Sequence, residues 1–263
     1  MEILPKKSLG QNFLVDDVVL NKIVNLANIT NEDVVLEVGP GSGNLTKKII
    51  NKHPKKLIVI EKDKKLSELL RNKFRKNIEI INDDVLKFPH SNLNNKPIII
   101  FGNLPYNIST QILANWIKID NLQNFCKKFI LMFQKEVADR IIAKDNSKNY
   151  GRLSILSSWK MNIKKIMDIN PSSFYPSPKV KSTLLVFEPK INYHKLSNPK
   201  NLEYISNVFF TQRRKMIKKP MKILFKNFLE ISNSLSLNLN LRPQNISANT
   251  YYKICSYYED SLK

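Results

Sequence analysis

The stretch Val35-Leu-Glu-Val-Gly-Pro-Gly-Ser-Gly-Asn-Leu-Thr46 decides the reading of this chain. A short β-branched run ends in three glycines at alternate positions, and helical spacing begins directly after them. Glycine in such a turn lets the backbone fold tightly and lets a ligand lie against bare main chain. The spacing is G-x-G-x-G. A dinucleotide fingerprint wants its third glycine one place later, where Asn44 stands, so a nicotinamide cofactor is the weaker reading. Working outward, further runs of strand length follow at Leu57 to Glu61, Ile78 to Asn82, Ile98 to Gly102 and Phe129 to Phe133. They are mostly continuous rather than alternating, as strands covered on both faces are. Between them Val18-Val19-Ile23-Val24-Ala27, Leu66-Leu69-Leu70-Phe74, Ile112-Leu113-Trp116-Ile117 and Val137-Ala138-Ile141-Ile142 recur at three- and four-residue steps. That is the spacing of amphipathic helices. Strand alternating with helix predicts an α/β fold, a parallel, doubly wound sheet. Ile163 to Ile169 and Thr183 to Glu188 have no helix pattern between them and are expected as an antiparallel pair at one edge.

Length and composition agree. The 263 residues allow one large domain and a small second one, on a prior of roughly 150 residues per domain. With 42% hydrophobic and 25% charged residues, the chain can bury a core and is unlike a disordered one. After Pro189 the texture turns Asn-rich and Lys-rich and the periodicity is helical only, which places a boundary near residue 190. The domains expected are 1–189, which would be catalytic, and 190–263, small, basic and helical. Asn233 to Asn240 reads as a loose loop.

Lys+Arg minus Asp+Glu is 43 − 22 = +21, which implies a polyanionic partner. Lys outnumbers Arg heavily, and Asn and Ile crowd the chain, so part of that surplus reflects coding bias. Cys126 and Cys255 are too isolated for a disulfide framework or a thiolate metal site and fit a reducing cytosol as small buried residues. The start, Met1-Glu-Ile-Leu-Pro-Lys-Lys, has no apolar core of signal-peptide length, and no segment approaches the ~18 apolar residues of a membrane span. The expectation is a soluble cytoplasmic protein. His53, His90 and His194 have no paired spacing and are expected at ordinary surface positions.

Two acids extend the glycine turn. Glu61 ends the second strand where an acid takes both hydroxyls of a ribose, and Asp84, after the third strand, can accept from an adenine amine. Together they favour an adenosine-bearing cofactor. The fourth strand runs into Asn103-Leu-Pro-Tyr-Asn-Ile-Ser109, at the crevice where open parallel sheets bind ligands. Pro105 removes a donor and stiffens the turn, leaving the Leu104 carbonyl to accept beside the Asn103 amide oxygen. Two acceptors aimed at one point suit an amino group with two hydrogens, and Tyr106 offers a flat face to a base. In Pro171-Ser-Ser-Phe-Tyr-Pro-Ser-Pro-Lys179 the prolines hold an aromatic pair, from which Phe174 could cover the other face of an everted base, at ~1–3 kcal/mol per stacked base. Gln212-Arg-Arg-Lys-Met-Ile-Lys-Lys-Pro-Met-Lys222 clusters cations, and Arg is the better phosphate fork; RNA backbone contact is expected through Arg213, Arg214, Lys215, Lys218 and Lys219.

Lys7-Ser-Leu-Gly-Gln-Asn-Phe-Leu14, Glu37-Val-Gly-Pro-Gly41, Asn103-Leu-Pro-Tyr-Asn-Ile-Ser109, Tyr150-Gly-Arg-Leu-Ser154, Phe174-Tyr-Pro-Ser-Pro-Lys-Val180 and Gln212-Arg-Arg-Lys215 resemble, in order, the motifs of the KsgA-type ribosomal RNA adenine dimethyltransferases. The resemblance spans nearly the whole chain. It implies a Rossmann-like methyltransferase sheet, S-adenosyl-L-methionine as cofactor, and methyl transfer to the exocyclic amines of two adjacent adenosines near the 3′ end of small-subunit (16S) ribosomal RNA, late in assembly of the 30S subunit, by a monomer. Carried onto this chain, Gln11, Asn12 and Leu14 look like the amino-terminal cofactor contacts. Gly39 and Gly41 look like the cofactor glycines, Glu61 with Lys62 the ribose edge, and Asp84 with Val85 the adenine edge. Val85 departs from the alanine frequent in that family. Asn103 resembles the residue shared by cofactor and target, and Tyr106 and Phe174 the base-stacking pair. Direct displacement at a sulfonium methyl needs alignment more than proton abstraction, which fits the lack of a catalytic base. Three alternatives stay open: a large-subunit RNA methyltransferase of the macrolide-resistance type, a non-catalytic RNA-binding assembly or transcription factor, and, distantly, a nicotinamide dehydrogenase.

Overall fold

The computed structural model describes residues 5–6, 10–89 and 96–263; His90 and the start of the first family-like motif, Lys7 to Leu9, lie outside them. The chain divides into two compact units, residues 1–138 with 162–189, and residues 139–161 with 190–263.

The first unit opens with β1 (Phe13–Leu14) and α1 (Asp17–Asn25), then β2 (Val34–Val38), α2 (Asn44–Ile50), β3 (Lys56–Ile60), α3 (Lys64–Phe74) and β4 (Glu79–Ile81). It continues through β5 (Ile98–Asn103), α4 (Ser109–Ile117), the short α5 (Leu122–Phe125), β6 (Cys126–Gln134) and α6 (Lys135–Ile141). After α7 (Arg152–Lys160) it closes with β7 (Met161–Ile169), β8 (Phe174–Tyr175) and β9 (Ser182–Pro189). The main sheet has the order β4-β3-β2-β5-β6-β9-β7. Its first five strands are parallel, and β9 runs antiparallel to β6 with Leu131 opposite Leu185. The expected strands are all present, with bounds displaced by one to three residues, and β7 and β9 form the expected edge. All five residues of β2 are buried, as a central strand with helices on both faces requires. Val35, Ile99, Phe101, Ile130 and Leu184 from neighbouring strands share one core with Leu20, Ile23 and Val24 of α1.

Strand order reverses at β2, which has β3 on one side and β5 on the other. Such a switch point opens a crevice at the carboxyl ends of the strands. Because Val38 lies opposite Gly102, the glycine turn after β2 and the Asn103 turn after β5 emerge side by side.

One element had no periodic signal. Phe13 and Leu14 pair antiparallel with Tyr175 and Phe174, making a separate two-stranded ladder. Asp16 anchors it: its carboxylate caps α1 by accepting from Val18 and Val19 N–H, and also accepts from the Ser173 hydroxyl at 2.9 Å.

The second unit corrects the domain boundary. Residues 139–161 belong with the C-terminal helices rather than with the sheet. The physical reason is a set of hydrogen bonds that helical periodicity cannot reveal. Trp159 Nε1 donates to the His194 carbonyl at 2.6 Å, the Tyr252 hydroxyl to the Ile155 carbonyl at 2.8 Å, and Asn146 N–H to the Gln244 carbonyl at 2.8 Å. The remaining helices are α8 (Pro199–Phe210), α9 (Lys218–Leu224), α10 (Phe228–Ser234) and α11 (Ala248–Ser261). Phe209 meets the Tyr251 ring edge-on at 5.2 Å between centroids. The supposed loose loop is an ordered turn: Leu237 N–H donates to the Ser232 carbonyl and Ile217 N–H to the Leu241 carbonyl. His194 is half-buried and hydrogen-bonded to the Ser256 hydroxyl at 2.7 Å, not an ordinary surface residue. Both cysteines are buried thiols, and burial pushes Cys255 up to about 12.

Candidate active site

The crevice is a cavity of about 280 Å³ at the switch point, lined by the amino-terminal strap, the glycine turn and the turns after β3, β4 and β5. Of the fourteen residues expected to contact an adenosine-bearing donor or carry the transfer, ten line it on these elements: Gln11, Asn12 and Leu14 on the strap, Gly39 and Gly41, Glu61 and Lys62, Asp84 and Val85, and Asn103. Leu104, Pro105 and Tyr106 line it too. The fourteenth is Phe174, which the structure does not bring there. Its side chain is 3% exposed and packs in the core with Leu14 and Ile169. The ladder with β1 turns Phe174 inward, and the exposed member of the pair is Tyr175, at 57%.

The glycine turn is shaped by what lies over it. Gly39 and Gly41 have φ of +67° and +56°, and a Cβ on Gly41 would sit 2.6 Å from the Phe13 ring. The strap can therefore rest on the turn only if residue 41 lacks a side chain. Asn44, the residue that breaks the dinucleotide fingerprint, opens α2 and donates from Nδ2 to the Leu14 carbonyl at 2.8 Å. Sequence reading registered it only as a departure. Its amide ties the strap to the first turn of α2.

Glu61 is buried at the end of β3. Oε2 accepts from Gly41 N–H at 3.3 Å and Oε1 from Asp63 N–H at 2.9 Å. A carboxylate has about four acceptor sites, so each oxygen keeps a lone pair for a ribose hydroxyl. Burial raises its affinity for a proton, opposed by those N–H donors. Asp84 stays ionised well below the usual range because Lys62 Nζ donates to it at 2.9 Å; its other oxygen accepts from Leu86 N–H at 3.0 Å. Lys62 thus holds the Asp84 carboxylate in place. Val85 is buried beside it.

The Asn103 turn is held from two sides. Asn103 Nδ2 donates to the Asn12 carbonyl at 2.7 Å, leaving Oδ1 as the amide's acceptor. The Leu104 side chain is buried against Gly102, where a Cβ would lie 2.6 Å from Leu104 Cδ2; its carbonyl is what the turn presents. The Pro105 carbonyl accepts from Ile108 and Ser109 N–H and starts α4. The Tyr106 hydroxyl shares a 2.7 Å hydrogen bond with the Ser182 hydroxyl.

Glu37 is the lining residue that sequence reading quoted without a role. It is 2% exposed in the middle of β2. Burial pushes its carboxyl up to about 8, with nearby Glu61 adding to the shift and the Thr46 hydroxyl, donating at 2.7 Å, opposing it. One acid inside an otherwise apolar central strand was the signal available. The described residues contain no cluster of His, Cys, Asp and Glu able to hold a metal.

In the second unit, Arg214, Lys215, Lys218 and Lys219 are exposed. Arg213 is half-buried: Nε donates to Gln244 Oε1 at 3.1 Å and Nη2 to the Lys148 carbonyl. Those bonds take two of its five N–H groups and hold the side chain against its own unit.

A glycine turn and an Asn-Leu-Pro-Tyr turn side by side at the switch point of this sheet define a Rossmann-like methyltransferase. The ribosomal RNA adenine dimethylase family model matches residues 4–260, and the chain belongs to that family. It is 56% identical over 260 residues to "Ribosomal RNA small subunit methyltransferase A" of Pelagibacter ubique, covering 99% of each chain. It is 41% identical to the protein of that name in Ehrlichia canis, covering 97% of each. Among solved structures it superposes on a dimethyladenosine transferase from Plasmodium falciparum with a TM-score of 0.81 and 25% identity, over 95% of this chain and 98% of that one. The 23S rRNA methyltransferase ErmE shares the fold at a TM-score of 0.67 and 20% identity, over 93% and 99%.

Proposed function

We propose that this protein transfers methyl groups from S-adenosyl-L-methionine to N6 of two adjacent adenosines near the 3′ end of small-subunit ribosomal RNA, twice per base, late in assembly of the subunit. The observation that carries the reading is the placement of Asn103 beside Gly39, with Glu61 and Asp84 at the far rim of one cavity. The donor fits this cavity. Glu61 has acceptor sites for the ribose diol, Asp84 for the adenine amine, and Gly39 carries no side chain over the glycine turn. When bound, the donor supplies a methyl group on a positively charged sulfur.

The chain's own part is alignment. The Asn103 amide oxygen and the Leu104 carbonyl hold the two hydrogens of the target amine and draw its lone pair out of the ring. The strap fixes that amide through Asn12. Tyr106 supports the base on one face. Phe174, buried in the ladder, backs the strap residue Leu14 instead of covering the second face. The exposed cations Arg214, Lys215, Lys218 and Lys219 contact the RNA backbone. The curated relatives at 56% and 41% identity carry small-subunit names, which favours that RNA over large-subunit RNA, although the ErmE fold is similar.

The test is transfer of radiolabelled methyl from the donor to small subunits from cells lacking this modification, with free large subunits and protein-free 16S RNA as parallel substrates. Label is expected in the 3′ region of RNA within small subunits, as dimethyladenosine on mass spectrometry. Label confined to large subunits, or to none, overturns the reading.

A further inference from the structure

Ser182 stands outside the glycine turn, the acidic rim and the Asn103 turn, yet it touches Tyr106, which lines the cavity. It is the first residue of β9 and fully buried. Its backbone pairs with Gln134 at the end of β6, so its Cα is set by the central sheet. Its hydroxyl meets the Tyr106 hydroxyl at 2.7 Å. A hydrogen bond at the far end of a tyrosine fixes the swing of the ring about its first side-chain bond, and so where the ring stands. The remaining anchor of Tyr106 is its carbonyl, which accepts from the Ser109 hydroxyl at 3.3 Å and leaves the ring free to rotate.

We propose that Ser182 is a positioning residue for the methyl transfer: its hydroxyl holds the Tyr106 ring in the place from which it supports the target adenine in line with the donor. This rests on the reading of Tyr106 as the base's platform. Displacement at a methyl carbon tolerates little misalignment, so a freed ring lowers turnover without removing a contact to either substrate. The same residue ends the Pro176 to Lys181 loop, where the Lys181 carbonyl accepts from Lys135 N–H at 2.9 Å. The platform is thereby tied to the sheet instead of to the strap that meets the donor. Burial raises the Tyr106 hydroxyl's affinity for its proton, and the Ser182 hydrogen bond opposes that shift. The bond therefore joins two neutral hydroxyls at neutral pH.

The test is a double-mutant cycle in the intact protein with Ser182→Ala, Tyr106→Phe and the pair, read as kcat and KM for small subunits and as donor affinity by calorimetry. Each single variant is expected to lose about tenfold in kcat, the worth of one neutral hydrogen bond. Donor affinity and KM should stay within twofold. The pair should lose no more than the worse single variant, because both changes delete one bond. A hundredfold loss in the pair, a Ser182→Ala enzyme with wild-type kcat, or a matching fall in donor affinity overturns the proposal. Tyr106→Phe removes the bond without emptying a buried site, so a folding defect in Ser182→Ala does not obscure the result. Tyr106→Ala separates the two ideas. If it turns over normally, the platform reading fails; if it is inactive while Ser182→Ala is normal, only the role of Ser182 fails.

Discussion

Glu37→Gln should change how the protein's stability depends on pH. Glu37 titrates at about 8 in the folded protein against an ordinary 4.5. A carboxyl raised by burial keeps its proton in the folded state over a range where the unfolded chain has released it. The folded state then binds more protons than the unfolded one, and stability falls as pH rises through that window. The contribution is whole below pH 4.5 and lost progressively up to about 8. Between pH 5 and 8 the linkage integral amounts to roughly 3 kcal/mol. Gln has nearly the same shape, cannot titrate and still offers an oxygen to the Thr46 hydroxyl, which donates at 2.7 Å. The measurement is urea unfolding of both proteins at half-unit steps from pH 5 to 8.5. The variant's advantage should grow steadily with pH and reach about 3 kcal/mol at pH 8. Glu61, also raised by burial, slopes the same way in both proteins and largely cancels in the difference. Parallel curves, within about 0.5 kcal/mol over the range, would show that Glu37 is ionised in the fold and that the charge is compensated by something the geometry does not contain.

Four further outcomes can be checked directly. Asn103→Ala should retain most affinity for small subunits by filter binding and lose most turnover; equal losses of both would remove Asn103 from the transfer step. Gly41→Ala must push its new Cβ into the Phe13 ring, 2.6 Å away, at a φ of +56°; calorimetry should show donor binding weakened at least about tenfold, since left-handed backbone alone costs roughly 1–2 kcal/mol. Glu259→Ala should lower unfolding stability of the C-terminal unit by about 3 kcal/mol, because its carboxylate accepts from Ser197 N–H, Asn198 N–H and Asn201 Nδ2 at 2.7, 2.8 and 3.2 Å. Burial acts against its ionisation, but those donors hold it below its ordinary value, so its contribution is present above pH 4.5 and lost as pH falls. Replacing Arg214, Lys215, Lys218 and Lys219 together by Gln should flatten the logarithmic salt dependence of RNA binding by about 3, at roughly 0.7–0.9 per phosphate contact; an unchanged slope would move the RNA elsewhere.

The parallel strands β2, β3, β5 and β6 were legible because a buried strand leaves a largely apolar run, and the half-exposed edge strand β4 was legible only through Ile78, Ile80 and Ile81. The residues around the cavity were legible because chemistry restricts which types can stand there: bare backbone at Gly39, acids at Glu61 and Asp84, and a donor-free stiff turn at Pro105. Periodicity has no such access to which core a helix joins. Residues 139–161 read as part of the sheet domain from their position between strands, but the Trp159 indole and the Asn146 amide bond into the C-terminal helices. Aromatic identity was equally blind to direction. Phe174 and Tyr175 differ in the sequence by one hydroxyl, and only the pairing of β1 with β8 determines which ring is buried. Arg213 shows the same blindness for charge. Nothing in the basic run reveals that the Lys148 carbonyl and Gln244 take two of the arginine's five N–H groups.

Those long-range ties also explain why an unremarkable amino-terminal segment belongs to the site. Three side chains from separate elements grip its backbone or its flank: Asn103 on the Asn12 carbonyl, Asn44 on the Leu14 carbonyl, and Ser173 on Asp16. The first comes from the turn after β5, the second from the helix that follows the glycine turn, and the third from the residue before β8. The strap therefore links the glycine turn to the Asn103 turn through hydrogen bonds, with Phe13 seated where residue 41 has no Cβ. The three ties join positions 30, 91 and 157 residues apart in the chain. No local pattern can encode such pairings. Chemistry at the cavity sets the residue types, and the fold alone sets which of them meet.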